Sequence, residues 1–290
     1  MTDPGHPATV RYETLTGDDA GIARIVMDRP QARNAQSVAM TYELNAAFDA
    51  AAADDDVKVV VLAGAGPHFS AGHDLRDRGT PGHHDTVGTW CGFGLPGHEG
   101  YFAREEEIYL GMCRRWRDLP KPTIAQVQGR CIAGGLMLAW VCDLIVAADD
   151  ARFVDPVVTM GVNGVEWFVH PWELGARKAK EHLFTADEWD AAEAYRLGMV
   201  NHVVPRAELE AFTLALARRI ATKPSFALKL AKLSVNQTLD AMGQRTAVDA
   251  AFSLHHVAHS HNQQRFGMLI DPAGMTVRPS SASPAEPASK

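Results

Sequence analysis

Short apolar runs that recur beside helical segments set the strongest limit on how this chain can fold. Each run has five or six residues and lies near glycine, proline or charged residues; the runs are 58–63, 123–127 and 144–148. Such short, nearly continuous apolar runs are typical of strands covered on both faces. Helices are predicted next to these strands, over 37–53 and 136–142. Strands separated by helices indicate an α/β layer architecture with parallel pairing.

The pattern changes along the chain and suggests three parts. Residues 1–205 are predicted to form the α/β core, and their glycine-rich segment 77–104 is predicted to be a long loop at the pocket. Residues 206–277 contain only amphipathic helical patterns, which predict a subdomain that packs on the core or on a neighbouring chain. The tail 278–290 is of low complexity and is predicted to be disordered.

Charge and cysteine usage argue against several classes of protein. The chain has 290 residues, and 28 Lys+Arg against 35 Asp+Glu give a net charge of −7. An acidic balance disfavours nucleic acid as a partner, because phosphate backbones require a basic patch. We expect no membrane association, since no run reaches the roughly 18–20 apolar residues that cross a bilayer. The four scattered cysteines and the absence of a signal-peptide pattern favour the cytoplasm.

The thirteen histidines raise the question of a metal site. His73, His83 and His84 lie close in sequence, and His255 and His259 share a face of a predicted helix. Neither group combines ligand spacing with an obvious carboxylate partner. We therefore expect solvated histidines and no bound metal.

Two glycine turns are the most informative feature for function. One is 69–75, after the strand at 58–63, and the other is 132–136, before the short buried helix. Small residues allow a ligand to approach the backbone, and a turn into a helix leaves N–H groups unpaired. Two such turns can direct two amides at one oxygen, which is the arrangement of an oxyanion hole. From spacing alone, two tight packing turns are an equally good interpretation.

Four segments in order resemble the crotonase, or enoyl-CoA hydratase/isomerase, superfamily: FSAGHDL, KPTIAQVQGRCIAGG, CDLIVAADDARF and AYRLGMVNHVVP. The resemblance extends from about residue 10 to 265. It implies an α/β spiral of ββα units with a C-terminal helical subdomain, and trimers that often pair into hexamers. It also implies an enzyme, a hydratase/isomerase-type lyase, that acts on an acyl-CoA thioester. CoA is then part of the substrate and no separate cofactor is expected. The backbone amides that hold the enolate oxygen would belong to His73 and Gly134.

The same resemblance assigns the binding of the CoA portion. Ala71 lies in the first turn beside His73, and Arg76 stands where the family often has lysine. Arg76 and Arg33 are therefore expected to meet the CoA nucleotide or phosphates. The side chain of His73 is free to line the acyl pocket or to orient the turn, and we favour the orienting or packing role.

The chain departs from the family at the two glutamates that hydratases use to hold and split water. Met137 and Val157 stand at those positions, and neither side chain can exchange a proton. Glu166 is the leading replacement, because a carboxylate between apolar neighbours is suited to proton transfer; a structural salt bridge with Arg177 or Lys178 is the alternative. For Asp155, catalysis competes with capping of its turn, and His170 is interpreted as a packing residue.

One acid/base residue and an oxyanion hole that holds the enolate oxygen are chemically sufficient for several reactions. Proton transfer between carbons of an enoyl-CoA needs no more, and water addition is possible if Glu166 alone positions the water. Thioester hydrolysis, carbon–carbon bond hydrolysis and non-catalytic acyl-CoA binding remain open. The long loop carries Trp90, Phe93 and Tyr101, and it is expected to shape an acyl pocket for a bulky substrate.

Overall fold

The computed structural model describes residues 8–77, 79–88 and 90–276. Its strands are β1 Val10–Thr14, β2 Ile22–Met27, β3 Val59–Gly64, β4 Thr123–Val127, β5 Arg130–Ile132, β6 Leu144–Ala148, β7 Arg152–Val154, β8 Trp189–Asp190 and β9 His202–Val204. Its α-helices are α1 Val38–Ala53, α2 His98–Glu105, α3 Met112–Arg117, α4 Gly134–Trp140, α5 His170–Leu174, α6 Ala176–Thr185, α7 Ala191–Leu197, α8 Leu209–Ala221, α9 Ser225–Ala241 and α10 Gln244–Phe266. A π-helix, Glu106–Gly111, joins α2 to α3. Short 3-10 turns cover Gly17–Asp19, Pro30–Ala32, Pro81–His83, Val157–Met160, Arg206–Glu208 and Pro272–Thr276.

Two sheets form the α/β core. The larger has the order β1-β2-β3-β4-β6-β9, in which β1 pairs antiparallel with β2 and the other strands pair in parallel. The smaller has the order β5-β7-β8, with β5 and β7 parallel. The sequence β4–β5–α4 forms one ββα unit, and β6 and β7 begin the next. The predicted α/β class with parallel pairing is thus present.

The central strands are buried on both faces, as their apolar runs require. Every residue of β3 and of β4 is buried. On one face, α1 and α4 pack through side chains such as Leu44, Phe48 and Leu136. On the other face, Leu209 and Ala217 of α8 pack against the strands. Burial of a leucine or phenylalanine side chain stabilises a fold by about 1.5–3 kcal/mol.

The helices after β9 have different environments. α8 covers the sheet, whereas no residue of α9 is buried as a whole. α10 returns to the core and contacts α2, where Phe252 and Phe102 pack with ring centroids 5.1 Å apart. Within the described ranges, no helix has both the length and the apolar character needed to span a bilayer. The tail predicted to be disordered, 278–290, lies outside the described residues.

The predicted loop 77–104 is shorter than expected, because α2 begins at His98. Gly97 and Gly100 fall inside the segment that was predicted to be a loop. Gly97 is the N-cap, with φ +73°, and Gly100 lies inside the helix. A Cβ at Gly100 would overlap the carbonyl of Leu95, so glycine is required there by close packing rather than by a loop.

Candidate active site

The two glycine turns pack directly against each other. Ser70 in the first turn forms a bridge with Cys131 of β5, and the N–H of Ile132 donates to the Ser70 carbonyl at 3.0 Å. At Gly72, with φ +86°, a Cβ would lie 2.7 Å from the Ile132 carbonyl and 3.1 Å from the Gly134 nitrogen. Only glycine allows this approach. The turns are therefore held in a fixed relationship at the start of α4.

The backbone hydrogen bonds on either side of His73 do not use its own amide, which is therefore available to bind a ligand. Gln36 donates to the Gly72 carbonyl at 2.8 Å and accepts from the Asp74 amide at 2.9 Å. In this bridge the intervening amide of His73 faces away from Gln36. Among the hydrogen bonds of the described residues, the His73 amide has no acceptor, nor has the amide of Gly134.

The amide of Gly134 is presented by an unusual residue. Ala133 precedes α4 with φ +48° and ψ −112°, and its N–H donates to the Val154 carbonyl at 2.9 Å. Positive φ is uncommon for alanine, and such strain costs about 1–3 kcal/mol. Gly134 is the first residue of α4, so its N–H is one of those left unpaired at a helix start. A Cβ at Gly134 would lie 3.2 Å from the His73 nitrogen, which shows how near the two amides are.

The side chain of His73 lies over the second turn. Its ring stacks on Tyr109 with centroids 3.6 Å apart and an interplanar angle of 6°. Its Nε2 is buried without a partner, and a Cβ at Gly134 would come within 2.5 Å of that atom. Its Nδ1 lies 3.7 Å from Oε1 of Glu166. The imidazole is thus packed, as expected, and it also contacts the leading acid/base candidate.

Glu166 is buried beside His73 rather than paired on the surface. Its side chain is 5% exposed, and Oε1 lies 3.7 Å from His73 Nδ1 and 3.8 Å from His255 Nε2. Its second oxygen, Oε2, is buried and has no hydrogen-bond partner in the part of the chain that the structure describes. The alternative partner Lys178 instead pairs with Glu181 at 2.8 Å. Among the described residues, Glu166 has ion-pair contacts with His73 and His255, and none is with Arg177 or Lys178.

Asp155 is occupied by structural contacts. Its carboxylate accepts from the amides of Val157 at 3.3 Å and Val165 at 3.1 Å. Oδ2 also lies 2.8 Å from Nε2 of His170, which is 1% exposed. These contacts favour the interpretation in which Asp155 caps its turn, and they fix the backbone next to Glu166. His170 is more than a packing residue, since it contacts this carboxylate.

The two positions that depart from the family are both buried. Met137 lies in α4 and is 1% exposed, while Val157 begins a 3-10 turn and is 9% exposed. Neither can take part in proton transfer. Among the described residues, Glu166 is instead a buried carboxylate in contact with His73 of the first turn, at 3.7 Å from its Nδ1.

A second buried carboxylate lies behind Glu166 and was missed in the sequence. Glu105, at the end of α2, is 8% exposed and is surrounded by histidines of α10. Its oxygens lie 3.5 Å from His255, 3.3 Å from His256 and 3.5 Å from His259. His255 and His259 were expected to be solvated and to have no carboxylate partner. That expectation is wrong, because Glu105 of α2, about 150 positions earlier in the sequence, supplies the carboxylate. The three consecutive glutamates Glu105–Glu107 were the sequence signal for this buried carboxylate. Consecutive residues of a helix point in different directions, so three in a row cannot all be exposed on one face.

Electrostatics couple these groups. Burial alone would raise the pKa of Glu105, but His255 and His259 outweigh it and hold that pKa well below its usual value. Burial opposes the charge on His255, yet Glu105 and Glu166 together raise its pKa to about 9. For His256 burial dominates and lowers the pKa to about 4. Burial, and then Glu166 and Glu105, raise the pKa of Tyr109 well above its usual value, which keeps the phenol protonated.

The residues assigned to CoA lie on the outer side of the first turn. Arg33 and Arg76 are exposed, and the described residues give neither an ion-pair partner. Arg33 has a left-handed backbone with φ +53°, and its carbonyl accepts from the Ala71 amide at 2.9 Å. This bond fixes Ala71 beside Gly72. Two uncompensated positive charges at the turn are suited to phosphate groups.

The segment between the first turn and α2 is anchored to the core. Glu107 is 1% exposed and accepts from the amides of Val87 and Gly88, both at 2.7 Å. Of the three aromatic residues expected at the acyl pocket, Trp90 packs edge-on against Phe102 at 5.5 Å but remains 49% exposed. Tyr101 is 38% exposed and belongs to α2, while Phe93 is half-buried.

A cavity of about 490 Å³ lies elsewhere, between α9, α10 and the end of α3. Its lining includes Lys229, Leu233, Asp240 and Arg245, and it contains none of the residues at the two turns. Volume alone would favour this cavity. The unpaired amides, the strained Ala133 and the buried Glu166 instead identify the turns as the candidate active site.

Comparisons with known proteins agree with the fold. A family model described as enoyl-CoA hydratase/isomerase matches residues 17–93 and 99–270. A Mycobacterium tuberculosis protein named "Putative enoyl-CoA hydratase EchA13" is 50% identical over 260 residues, which cover 87% of this chain and 81% of that protein. A crystal structure described as a probable enoyl-CoA hydratase from Mycobacterium smegmatis is 47% identical, with a TM-score of 0.81, and the match covers 90% of this chain and 98% of the other.

A more distant structure agrees as well. An enoyl-CoA hydratase/isomerase from Xanthobacter autotrophicus Py2 is 31% identical with a TM-score of 0.75, over 90% of this chain and 94% of the other. The similarity to these structures confirms the expected crotonase-like α/β fold with a C-terminal helical region. The chain is an enzyme of hydratase/isomerase type and belongs to the enoyl-CoA hydratase/isomerase family.

Proposed function

We propose that this enzyme acts on an enoyl-CoA thioester whose carbonyl oxygen is held by the amides of His73 and Gly134. The observation that carries the proposal is a pair of adjacent amides, one of them at the start of α4, that find no acceptor among the described residues. A helix start favours negative charge, and amides directed at a developing oxyanion are worth about 2.7–4 kcal/mol each in the transition state. Removal of a proton from the acyl chain then places the charge on that oxygen.

Glu166 is the main acid/base in this proposal. Its carboxylate removes a proton from Cγ of the enoyl group, the electron pair moves to form the dienolate, and the same carboxyl returns the proton at Cα. The reaction is a double-bond isomerisation and needs no second acid. The reaction is consistent with Met137 and Val157, which stand at the positions of the two glutamates that hydratases use. The peptide beside Glu166 is fixed by Asp155, which accepts from the Val165 amide.

Water addition is a second candidate, supported by the contact between His73 and Glu166. Their Nδ1 and Oε1 atoms lie 3.7 Å apart, so a water placed to one side of the pair can contact both side chains. In this reaction Glu166 takes a proton from water as the water oxygen adds to Cβ, and the protonated Glu166 then delivers that proton to Cα of the enolate. The relatives named as enoyl-CoA hydratases also support it.

Product analysis tests these proposals together. The protein is incubated with a panel of 2-enoyl- and 3-enoyl-CoAs, and the products are identified by mass spectrometry. Isomerisation leaves the mass unchanged, hydration adds one water, and thioester hydrolysis releases free CoA. A changed double-bond position supports the first proposal and an added water the second. Free CoA as the sole product, or tight binding with no chemistry, would contradict both.

We infer that the protein assembles into trimers or hexamers, as the resemblance implies. Support comes from α9, in which no residue is buried and one face exposes Phe226, Leu230 and Leu233 at 71%, 45% and 46%. Contiguous exposed apolar surface of this kind is typical of protein–protein contacts. Light scattering should give three or six times the chain mass of 31.5 kDa.

We also propose a cytoplasmic location, supported by the free thiols of Cys113, Cys131 and Cys142 in the core.

A further inference from the structure

Unpartnered buried polar atoms concentrate where α2 meets α10. Buried atoms without hydrogen-bond partners include Glu105 Oε2, Glu166 Oε2, His255 Nε2 and His256 Nε2. Native proteins leave few such atoms, and each one points to strain, a catalytic role, or an ion or water at the site. Four within one cluster require a shared explanation.

The histidine tautomers prepare two ring nitrogens as ligands. His255 Nδ1 lies 2.8 Å from the Gly164 carbonyl, and His259 Nδ1 lies 2.7 Å from the Leu269 carbonyl. A carbonyl only accepts, so each Nδ1 carries the hydrogen and donates. Once a metal ion displaces any proton on Nε2, that nitrogen presents its lone pair to the ion. Histidines that bind metals nearly always donate their other N–H in this way, which fixes the orientation of the ring.

The distances within the cluster suit an ion better than direct hydrogen bonds. Oε2 of Glu105 lies 3.5 Å from His255 Nε2, and its other oxygen, Oε1, lies 3.5 Å from His259 Nε2. One ligand atom from each residue lies within 4.8 Å of the others. Hydrogen bonds to a carboxylate are normally about 2.7–2.9 Å. Tetrahedral Zn²⁺, with bonds of about 2.0–2.2 Å, separates its ligand atoms by about 3.3–3.5 Å.

The ligands come from regular elements rather than from loops. His255 and His259 are four residues apart on α10 and share a face, which is the spacing of paired metal ligands on a helix. Glu105 ends α2, and the π-helix Glu106–Gly111 follows it immediately. Such π-helical turns are rare and occur frequently at functional sites. All three residues are buried, at 4–8% exposure.

We propose that Glu105, His255 and His259 bind one divalent transition-metal ion per chain, of which Zn²⁺ is the representative. Two imidazoles and one carboxylate match three-ligand zinc sites, which leave a fourth position for water. Glu166 lies beside this position, with Oε1 3.8 Å from His255 Nε2 and a free Oε2 that can accept from that water. The ion offsets the charge of two buried carboxylates. The site stands on its own geometry and does not depend on the proposed reaction.

The test is metal binding by the untagged full-length protein. After removal of metals with a chelator and dialysis, Zn²⁺ is added and the bound metal is measured by plasma mass spectrometry, with affinity from competition with a chromophoric chelator. About one Zn²⁺ per chain is expected. Substitution of a ligand, His259→Asn or Glu105→Gln, should weaken binding by more than about tenfold. The matched control is His261→Asn, which changes an exposed histidine of the same helix and should bind Zn²⁺ as the wild type does.

His259→Asn is chosen because its side-chain amide can still donate to the Leu269 carbonyl, so the local fold is retained. If a variant fails to fold, the wild-type protein loaded with Co²⁺ decides the question by itself. Intense visible absorption of tetrahedral Co²⁺, lost on addition of Zn²⁺, supports the site. Absence of stoichiometric Zn²⁺ in the wild type, equal affinity in His259→Asn and wild type, or octahedral Co²⁺ alone would overturn the proposal. If a protonated imidazole rather than a metal ion holds the cluster together, the wild-type protein will not bind stoichiometric Zn²⁺.

Discussion

Glu166 Oε1 lies 3.7 Å from Nδ1 of His73, the residue whose backbone amide is one of the two proposed oxyanion donors. One residue thus contributes its amide to the proposed hole and its imidazole to the environment of the acid/base. This connection makes the two functions interdependent. Changes at either residue should affect the chemical step more than the binding of CoA.

Glu166→Gln tests the acid/base role. The amide keeps the size of the side chain but cannot accept a proton, so kcat for the reaction found with the enoyl-CoA panel should fall about 100- to 10,000-fold. KM should change little, because no CoA contact is removed. The control is Glu181→Gln, an exposed residue of α6, which should leave steady-state kinetics unchanged. Undiminished turnover in Glu166→Gln would remove this residue from the mechanism.

Gly134→Ala tests the close packing between the turn and His73. A Cβ there would meet the imidazole within 2.5 Å of Nε2, so the ring must move away from Tyr109 and Glu166. Such overpacking costs about 1–3 kcal/mol of the free energy of unfolding. We expect lower kcat together with this loss, measured by turnover assays and urea unfolding. Gly82→Ala, where the nearest atom is 3.6 Å away, should affect neither quantity.

Asp155→Asn separates positioning from catalysis. The carboxylate accepts from two backbone amides and contacts His170, and loss of such a buried acceptor costs about 1–3 kcal/mol. As a positioning residue, Asp155 should show decreases in stability and in kcat together. Asp55→Asn, at an exposed position, provides the control. Abolished turnover in a variant of unchanged stability would instead assign Asp155 a direct catalytic role.

Arg76→Ala tests the assignment of the CoA side. An exposed charge contact is worth about 1 kcal/mol, so KM for an acyl-CoA should rise roughly fivefold. KM for the corresponding acyl-pantetheine, which lacks the nucleotide, should not change. Arg219→Ala on α8 is a matched exposed control. An equal rise in KM for both substrates would show that Arg76 does not act through the nucleotide.

The sheet could be predicted closely because its signal is local. The run predicted over 58–63 is the strand Val59–Gly64, and the run at 123–127 is the strand Thr123–Val127. Burial on both faces demands continuous apolar residues, which are visible in the sequence. The strands of the smaller sheet, by contrast, have only two or three residues each, which is too short for a periodic pattern.

The candidate site could be predicted only where short motifs define it. The turns at His73 and Gly134 are found from glycine spacing, while the role given to Glu166 stays a prediction. The cluster of Glu105 with His255 and His259 could not be inferred, since it depends on how α2 and α10 meet. Gly100 shows the converse problem, because its glycine reflects contact with the Leu95 carbonyl and was interpreted as a loop.

A crystal structure with an unreactive saturated acyl-CoA bound would test the central claim most directly. We expect the thioester oxygen within about 2.7–3.1 Å of both the His73 and the Gly134 nitrogens. The Glu166 carboxylate should face the carbons next to the thioester. A thioester bound elsewhere, or amides of the two residues that point away from a common oxygen, would contradict the proposed mechanism.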